Sequence, residues 1–98
     1  MKAELRTDRR ITLGEDVFAE IVIWKLHKPL PGCRHRYKYR VAYVVRGVCV
    51  LRYDNETGKG DHRHLDARER LYEFVDIDRL LSDFRRDVTR WNDENRDA

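Results

Sequence analysis

The hydrophobic period of this chain changes once, at Asp76, and that change limits the folds open to it. Beyond it Ile77, Leu80, Leu81, Phe84, Val88 and Trp91 fall at i, i+3, i+4, i+7, i+11 and i+14, the stripe of an amphipathic helix. Asp76 stands where an N-cap belongs, and Asp78 suits the positive end of the helix dipole. Before Asp76 the patterned segments have period two. Tyr37, Tyr39, Val41, Tyr43 and Val45 alternate with Lys38, Arg40, Ala42, Val44 and Arg46. Gly47 allows a tight hairpin turn, and Val48–Asp54 returns as the partner strand. Strands first and one helix last place the chain in the α+β class. The expected architecture is a small antiparallel meander of about four to five strands with one long C-terminal helix on one face.

The remaining segments fit around that hairpin. Val17–Leu26 reads as a strand that is apolar on both faces, as a central strand covered on both sides would be. Lys2–Arg10 alternates weakly and reads as an arm or short edge strand, with a turn at Gly14-Glu15-Asp16. Pro29-Leu30-Pro31-Gly32 stops the second strand. The stretch that follows the partner strand Val48–Asp54, to His64, reads as a loop of about ten residues. Leu71–Val75 is expected as a last short strand, led in by Ala67–Arg70 as strand or helical turn. Asp83 and Asp87, with Arg86 and Arg90, read as exposed helix pairs. Asn92–Ala98 is polar and expected to fray. No repeat or linker divides residues 1–98, so one domain is expected.

With 41% hydrophobic and 40% charged residues in 98, the core must be modest. No apolar run is long enough to span a membrane, and the N-terminus turns polar at once, without a signal core. A soluble, cytoplasmic protein is expected. Cys33 and Cys49 lack CxxC or zinc-like spacing and read as free thiols, pairing only if adjacent strands join them. The charge is uneven. Residues 1–64 hold 14 Lys/Arg against 8 Asp/Glu, and residues 65–98 hold 7 against 10. From Ile21 to Tyr53 there is no acid, while Lys25, Lys28, Arg34, Arg36, Lys38, Arg40, Arg46 and Arg52 all fall in that window. Such a field attracts phosphate polyanions, although a solvated basic surface has the same composition.

Chemistry concentrates in Tyr53–His64, which holds Asp54, Glu56, Gly58, Lys59, Gly60, Asp61, His62, Arg63 and His64. Metal-independent RNA cleavage needs a base for the 2′-hydroxyl, an acid for the leaving 5′-oxygen and a cation for the phosphorane. His62 and His64 are the residues for the first two roles, with Lys59, Arg63 or Arg40 for the third. Asp54, Glu56 and Asp61 are the acids of the same stretch. Lys38, Arg40, Arg52, Arg63 and His35 are candidates for holding phosphate, with Gly58 and Gly60 supplying backbone N–H groups. No cofactor is called for. A metal reading uses His62 and His64 with Asp61 or Asp54, and His35 as a further ligand. The plainest reading is an Asx turn at Asp54–Asn55 beside solvated charges. Tyr37, Tyr39 and Tyr43 read either as core beneath the helix or as a base-stacking platform, with core favoured for Tyr43.

The pattern His35-x-Tyr37-Lys38-Tyr39-Arg40-x-x-Tyr43-Val44, followed by Arg52-Tyr53-Asp54-Asn55-Glu56-x-Gly58-Lys59-Gly60-Asp61-His62-x-His64, then Tyr72-x-Phe74, resembles the TumE family. The resemblance runs from about Trp24 to Val88. It implies the toxin component of a prokaryotic type II toxin–antitoxin system, neutralised by a DNA-binding antitoxin, with RNA as the expected substrate. It also implies that Lys38, Arg40, Asp54, Glu56, Lys59, Asp61, His62 and His64 are functional. Two alternatives stay open beside a ribonuclease: a non-catalytic module that clamps nucleic acid or a partner, and a metal-dependent nuclease. Membrane partners are not expected, and a homo-oligomer is compatible with the pattern.

Overall fold

A computed structural model describes residues 3–95, and in it six antiparallel strands form one sheet in sequence order. They are β1 (Ala3–Gly14), β2 (Val17–Leu26), β3 (Tyr37–Val45), β4 (Val48–Glu56), β5 (Gly60–Leu65) and β6 (Arg68–Leu71), followed by α1 (Ile77–Glu94). The class and the meander are as expected, with one strand more than the upper count. Turns of two residues join most neighbours. At Arg46–Gly47 both φ angles are positive, 49° and 79°, which suits the right-handed twist of the flanking strands.

Helix α1 packs over β4. Tyr39, Val41, Tyr43, Leu51 and Tyr53 from the sheet meet Leu80 and Phe84 from the helix, all nearly or completely enclosed. A fully buried Leu or Phe contributes about 1.5–3 kcal/mol, so these contacts hold the second layer in place. Asp76 caps α1 by accepting from the Arg79 amide at 2.7 Å. Tyr39 and Tyr43 lie in the core, with hydroxyls donating to Asp61 and Asn92 at 2.7 Å.

Several expectations need correction. The segment read as a loop is the end of β4 and most of β5; only Thr57–Lys59 turns. β1 is a twelve-residue edge strand rather than a short one, although Lys2 lies outside the described residues. β6 starts at Arg68 and ends at Leu71, because Tyr72 and Phe74 turn in against the core instead of continuing the ladder. β2 is not covered on both faces: it buries Ala19 and Ile23 on the helix side. On its other face Trp24 is 36% exposed and Arg10 lies over the Phe18 ring, 4.2 Å from its centroid. Asp83 and Asp87 are buried, not exposed, for reasons given below. Asn92–Glu94 stay helical, tied by the Tyr43 bond to Asn92, while residues 96–98 lie outside the described part. Cys33 and Cys49 are free thiols. Among the described residues no helix is long and apolar enough to cross a membrane.

The long β2–β3 connection docks on the β4–β5 turn. The Gly58 amide donates to the Pro31 carbonyl at 2.6 Å. A Cβ at Gly32 would sit 3.2 Å from both Gly58 C and Gly60 N, so this approach needs glycine there.

Candidate functional site

Because β4 and β5 form a hairpin, the dense stretch is sorted by strand alternation onto two faces. Asp54 pairs with His62 and Arg52 with His64 across the ladder. On the other side Arg40 pairs with Asp54, so Arg40, Arg52, Asp54, His62 and His64 share the face that α1 does not cover. Asp61 and Arg63 pair with Asn55 and Tyr53 and point to the helix side. The catalytic candidates are thus divided: the histidines and Asp54 stand together, and Asp61 stands apart from them. Glu56 and Lys59 sit at the exposed turn, 3.5 Å from each other. Gly58 and Gly60 shape that turn with positive φ, while Gly60 itself is buried.

On the uncovered face the two rings have unlike surroundings. His62 Nε2 is 2.6 Å from the Lys59 carbonyl, and Nδ1 is 3.0 Å from Glu69 Oε1. Both its nitrogens therefore face oxygen acceptors. His64 Nε2 is 3.1 Å from Arg52 Nη2, and a guanidinium can only donate, so this nitrogen presents its lone pair. Glu69 Oε1 also lies 3.9 Å from His64, which makes the carboxylate a shared neighbour of the pair. Arg52 Nε is 3.0 Å from Asp54 Oδ2 but makes no aligned hydrogen bond, so that contact is one of charge alone. Arg40 meets Glu20 at 2.8 Å, and Arg10 meets the same carboxylate at 3.3 Å. Lys38 donates to the Asn55 carbonyl at 2.6 Å.

The helix side holds a second cluster. His35 stacks on Phe74 at 3.8 Å between centroids, and its Nε2 lies 2.9 Å from Asp61 Oδ1, which also accepts from the Tyr39 hydroxyl. Burial, with the bond to Asp61, pushes the Tyr39 phenol well above its usual range. Cys33, His35 and Asp61 bring one donor atom each within 4.8 Å of one another, a set chemically suited to zinc. The protons are wrong for a metal, however. The Tyr37 amide donates to His35 Nδ1 at 3.1 Å, which puts the ring proton on Nε2, the nitrogen facing Asp61. Burial and then Asp61 also push the Cys33 thiol up. The residues do not fit a resident ion as arranged. Of the other metal set, His62, His64 and Asp54 share the uncovered face, whereas Asp61 and His35 lie together on the helix side.

Arg63, a phosphate candidate, is spent on the helix. It lies 3.4 Å from Asp87, to which the Tyr53 hydroxyl also donates. Burial and then the Asp87 bond push the Tyr53 phenol up. Burial alone would lower the Arg63 pKa, but Tyr53 and Asp87 outweigh it and raise it. Asp83 accepts from Tyr72 at 2.6 Å and from Arg79 at 3.1 Å. These bonds explain why two acids lie between helix and sheet.

Sequence reasoning missed Glu69 and Glu20 at the uncovered face. Glu69 pairs with His64 across the β5–β6 ladder. Gly60–Leu65 gave no apolar period to signal it, because both faces of that strand are polar there.

The profile of the family described as Toxin TumE matches residues 2–92. Neither a curated protein nor a solved structure matches the chain. With nearly all of its length inside the profile, the chain belongs to the TumE family of toxins.

Proposed function

We propose that this toxin cleaves RNA through His62 and His64 on the uncovered sheet face, with no metal in the step. The reading is carried by one observation: the two rings flank Glu69, one with both nitrogens on acceptors and one with a lone pair on Nε2. In this reading His64 Nε2 takes the 2′-hydroxyl proton once Arg52 shifts to the substrate phosphate. The 2′-oxygen attacks phosphorus, the bond to the 5′-oxygen breaks, and His62 gives that oxygen its proton. The products are a 2′,3′-cyclic phosphate and a 5′-hydroxyl. Arg52 and Arg40 supply positive charge to the phosphorane. Glu69 and Asp54 orient the rings. An antitoxin partner follows from the toxin role.

Purified protein incubated with labelled RNA tests this. His62→Ala and His64→Ala should each slow cleavage by about a hundredfold or more, the usual range for losing a general acid or base. Chelator should leave the rate unchanged. Wild-type rates in both variants, or loss of activity with chelator, would sink the assignment. A salt-sensitive complex with intact RNA would favour the non-catalytic clamp.

A further inference from the structure

The helix-side surface of the sheet is wider than one helix. Six strands spaced about 4.8 Å apart span about 24 Å, whereas a helix with its side chains is about 10 Å across. Since α1 lies over β4, the β1–β2 half is left open as a groove of about 420 Å³. Its floor is apolar, from Ile11, Leu13 and Ile21, and Leu81, Phe84 and Val88 of α1 form its wall. Leu13 is 54% exposed there. Arg9 stands on the sheet bank and Arg85 on the helix bank, and among the described residues no carboxylate lines the groove.

We propose that this groove docks an amphipathic helix of the antitoxin, with apolar residues along one stripe and acids beside it. The open width fits one further helix, which would complete the second layer. An apolar floor flanked by two cations calls for an apolar stripe with carboxylates at its edges. A second copy of this chain suits it less well, because the outer face of α1 carries exposed Arg85, Arg86 and Arg90 and would set arginine against arginine. RNA would leave the apolar floor unmatched. The inference rests on the toxin role that the family gives, not on the histidine pair, so the two readings fail separately.

The test uses the full-length chain and its full-length antitoxin. Leu13→Glu/Arg85→Glu, at two exposed positions, should weaken antitoxin binding by about tenfold or more, because a carboxylate enters an apolar contact and a cation is reversed. In cells the double variant should still arrest growth, and co-expressed antitoxin should no longer rescue it. On the wild-type chain, antitoxin should slow amide exchange in residues 9–13 and 81–89, a readout independent of how the variant folds. Undiminished binding and rescue, or protection confined to other segments, would overturn the proposal. So would a variant whose only change is loss of self-association or of RNA binding.

Discussion

Registered pairing of β3 with β4 stops at Arg40 and Asp54, and from there the side chain of Asn55 continues it. Its Oδ1 accepts from the Tyr39 amide at 3.0 Å and its Nδ2 donates to the Tyr37 carbonyl at 2.6 Å. The residue is completely enclosed. Truncation leaves a buried N–H unpaired, costing about 1–3 kcal/mol, and a part-buried C=O unpaired at a smaller cost, so Asn55→Ala should lose about 2–4 kcal/mol of stability. Asn55→Asp keeps the acceptor but turns an oxygen on the Tyr37 carbonyl, and should be at least as damaging. Urea midpoints measure both, and a wild-type midpoint for Asn55→Asp would show that the amide is not the clamp. In the sequence this Asn reads as an Asx turn, because its partners lie 16 and 18 residues upstream and no local pattern reports them. The same limit hid Glu69, whereas the two histidines were legible as residue types that suit proton transfer.

The helix was legible as an element, from its stripe and its Asp76 cap, but its polar row was not. Acids on an amphipathic helix are expected in water, yet Asp83 and Asp87 meet the hydroxyls of Tyr72 and Tyr53. Periodicity locates the apolar stripe; it carries no information on tyrosines reaching across from β4 and from the segment after β6. Burial alone would raise the Asp83 pKa, but Tyr72, Arg79 and Arg86 outweigh it and hold the carboxyl below its usual value. A carboxyl depressed in the folded state adds stability above its unfolded pKa and loses it as pH falls through the folded value. Docking of α1 should therefore weaken below about pH 4. Asp83→Asn keeps an acceptor for Tyr72 and removes the titration. It should be less stable than wild type near pH 6 and lose less on acidification to about pH 3. Equal acid losses in urea melts of the two proteins would place the sensitivity elsewhere. The strands show a related split. Alternation in Tyr37–Arg46 was clean because one face is core, but His62-Arg63-His64 alternates between two polar faces and leaves no hydrophobic trace.

At the scale of the whole molecule, charge is where sequence and fold differ most. No acid occurs from Ile21 to Tyr53, yet the residues that bound this window are Glu20 and Asp54. Antiparallel pairing returns both to its middle: Glu20 lies opposite Ala42 and Asp54 opposite Arg40. Glu20 then bridges Arg40 and Arg10, and Asp54 meets Arg52. A positive run along the chain thus becomes a face of mixed sign, because the sheet neighbours of a residue lie one strand away rather than one position away. If RNA binds this face, its phosphates must compete with Glu20 for two guanidinium groups. The pairs are partly exposed, and such pairs contribute at most about 1 kcal/mol, so Glu20→Gln should leave the fold intact. It should also tighten RNA binding at low salt, in contrast to most site substitutions. Each guanidinium that then meets a phosphate steepens the dependence of log K on log salt by about 0.7 for a single strand. Anisotropy titrations of labelled RNA at several salt concentrations, with catalysis blocked by His64→Ala in both proteins, measure the slope. A steeper slope and higher affinity would place RNA across Arg10 and Arg40. Identical slopes would mean that phosphate never reaches Glu20's partners, and the cations of the Lys28–Arg36 loop would be the next to remove.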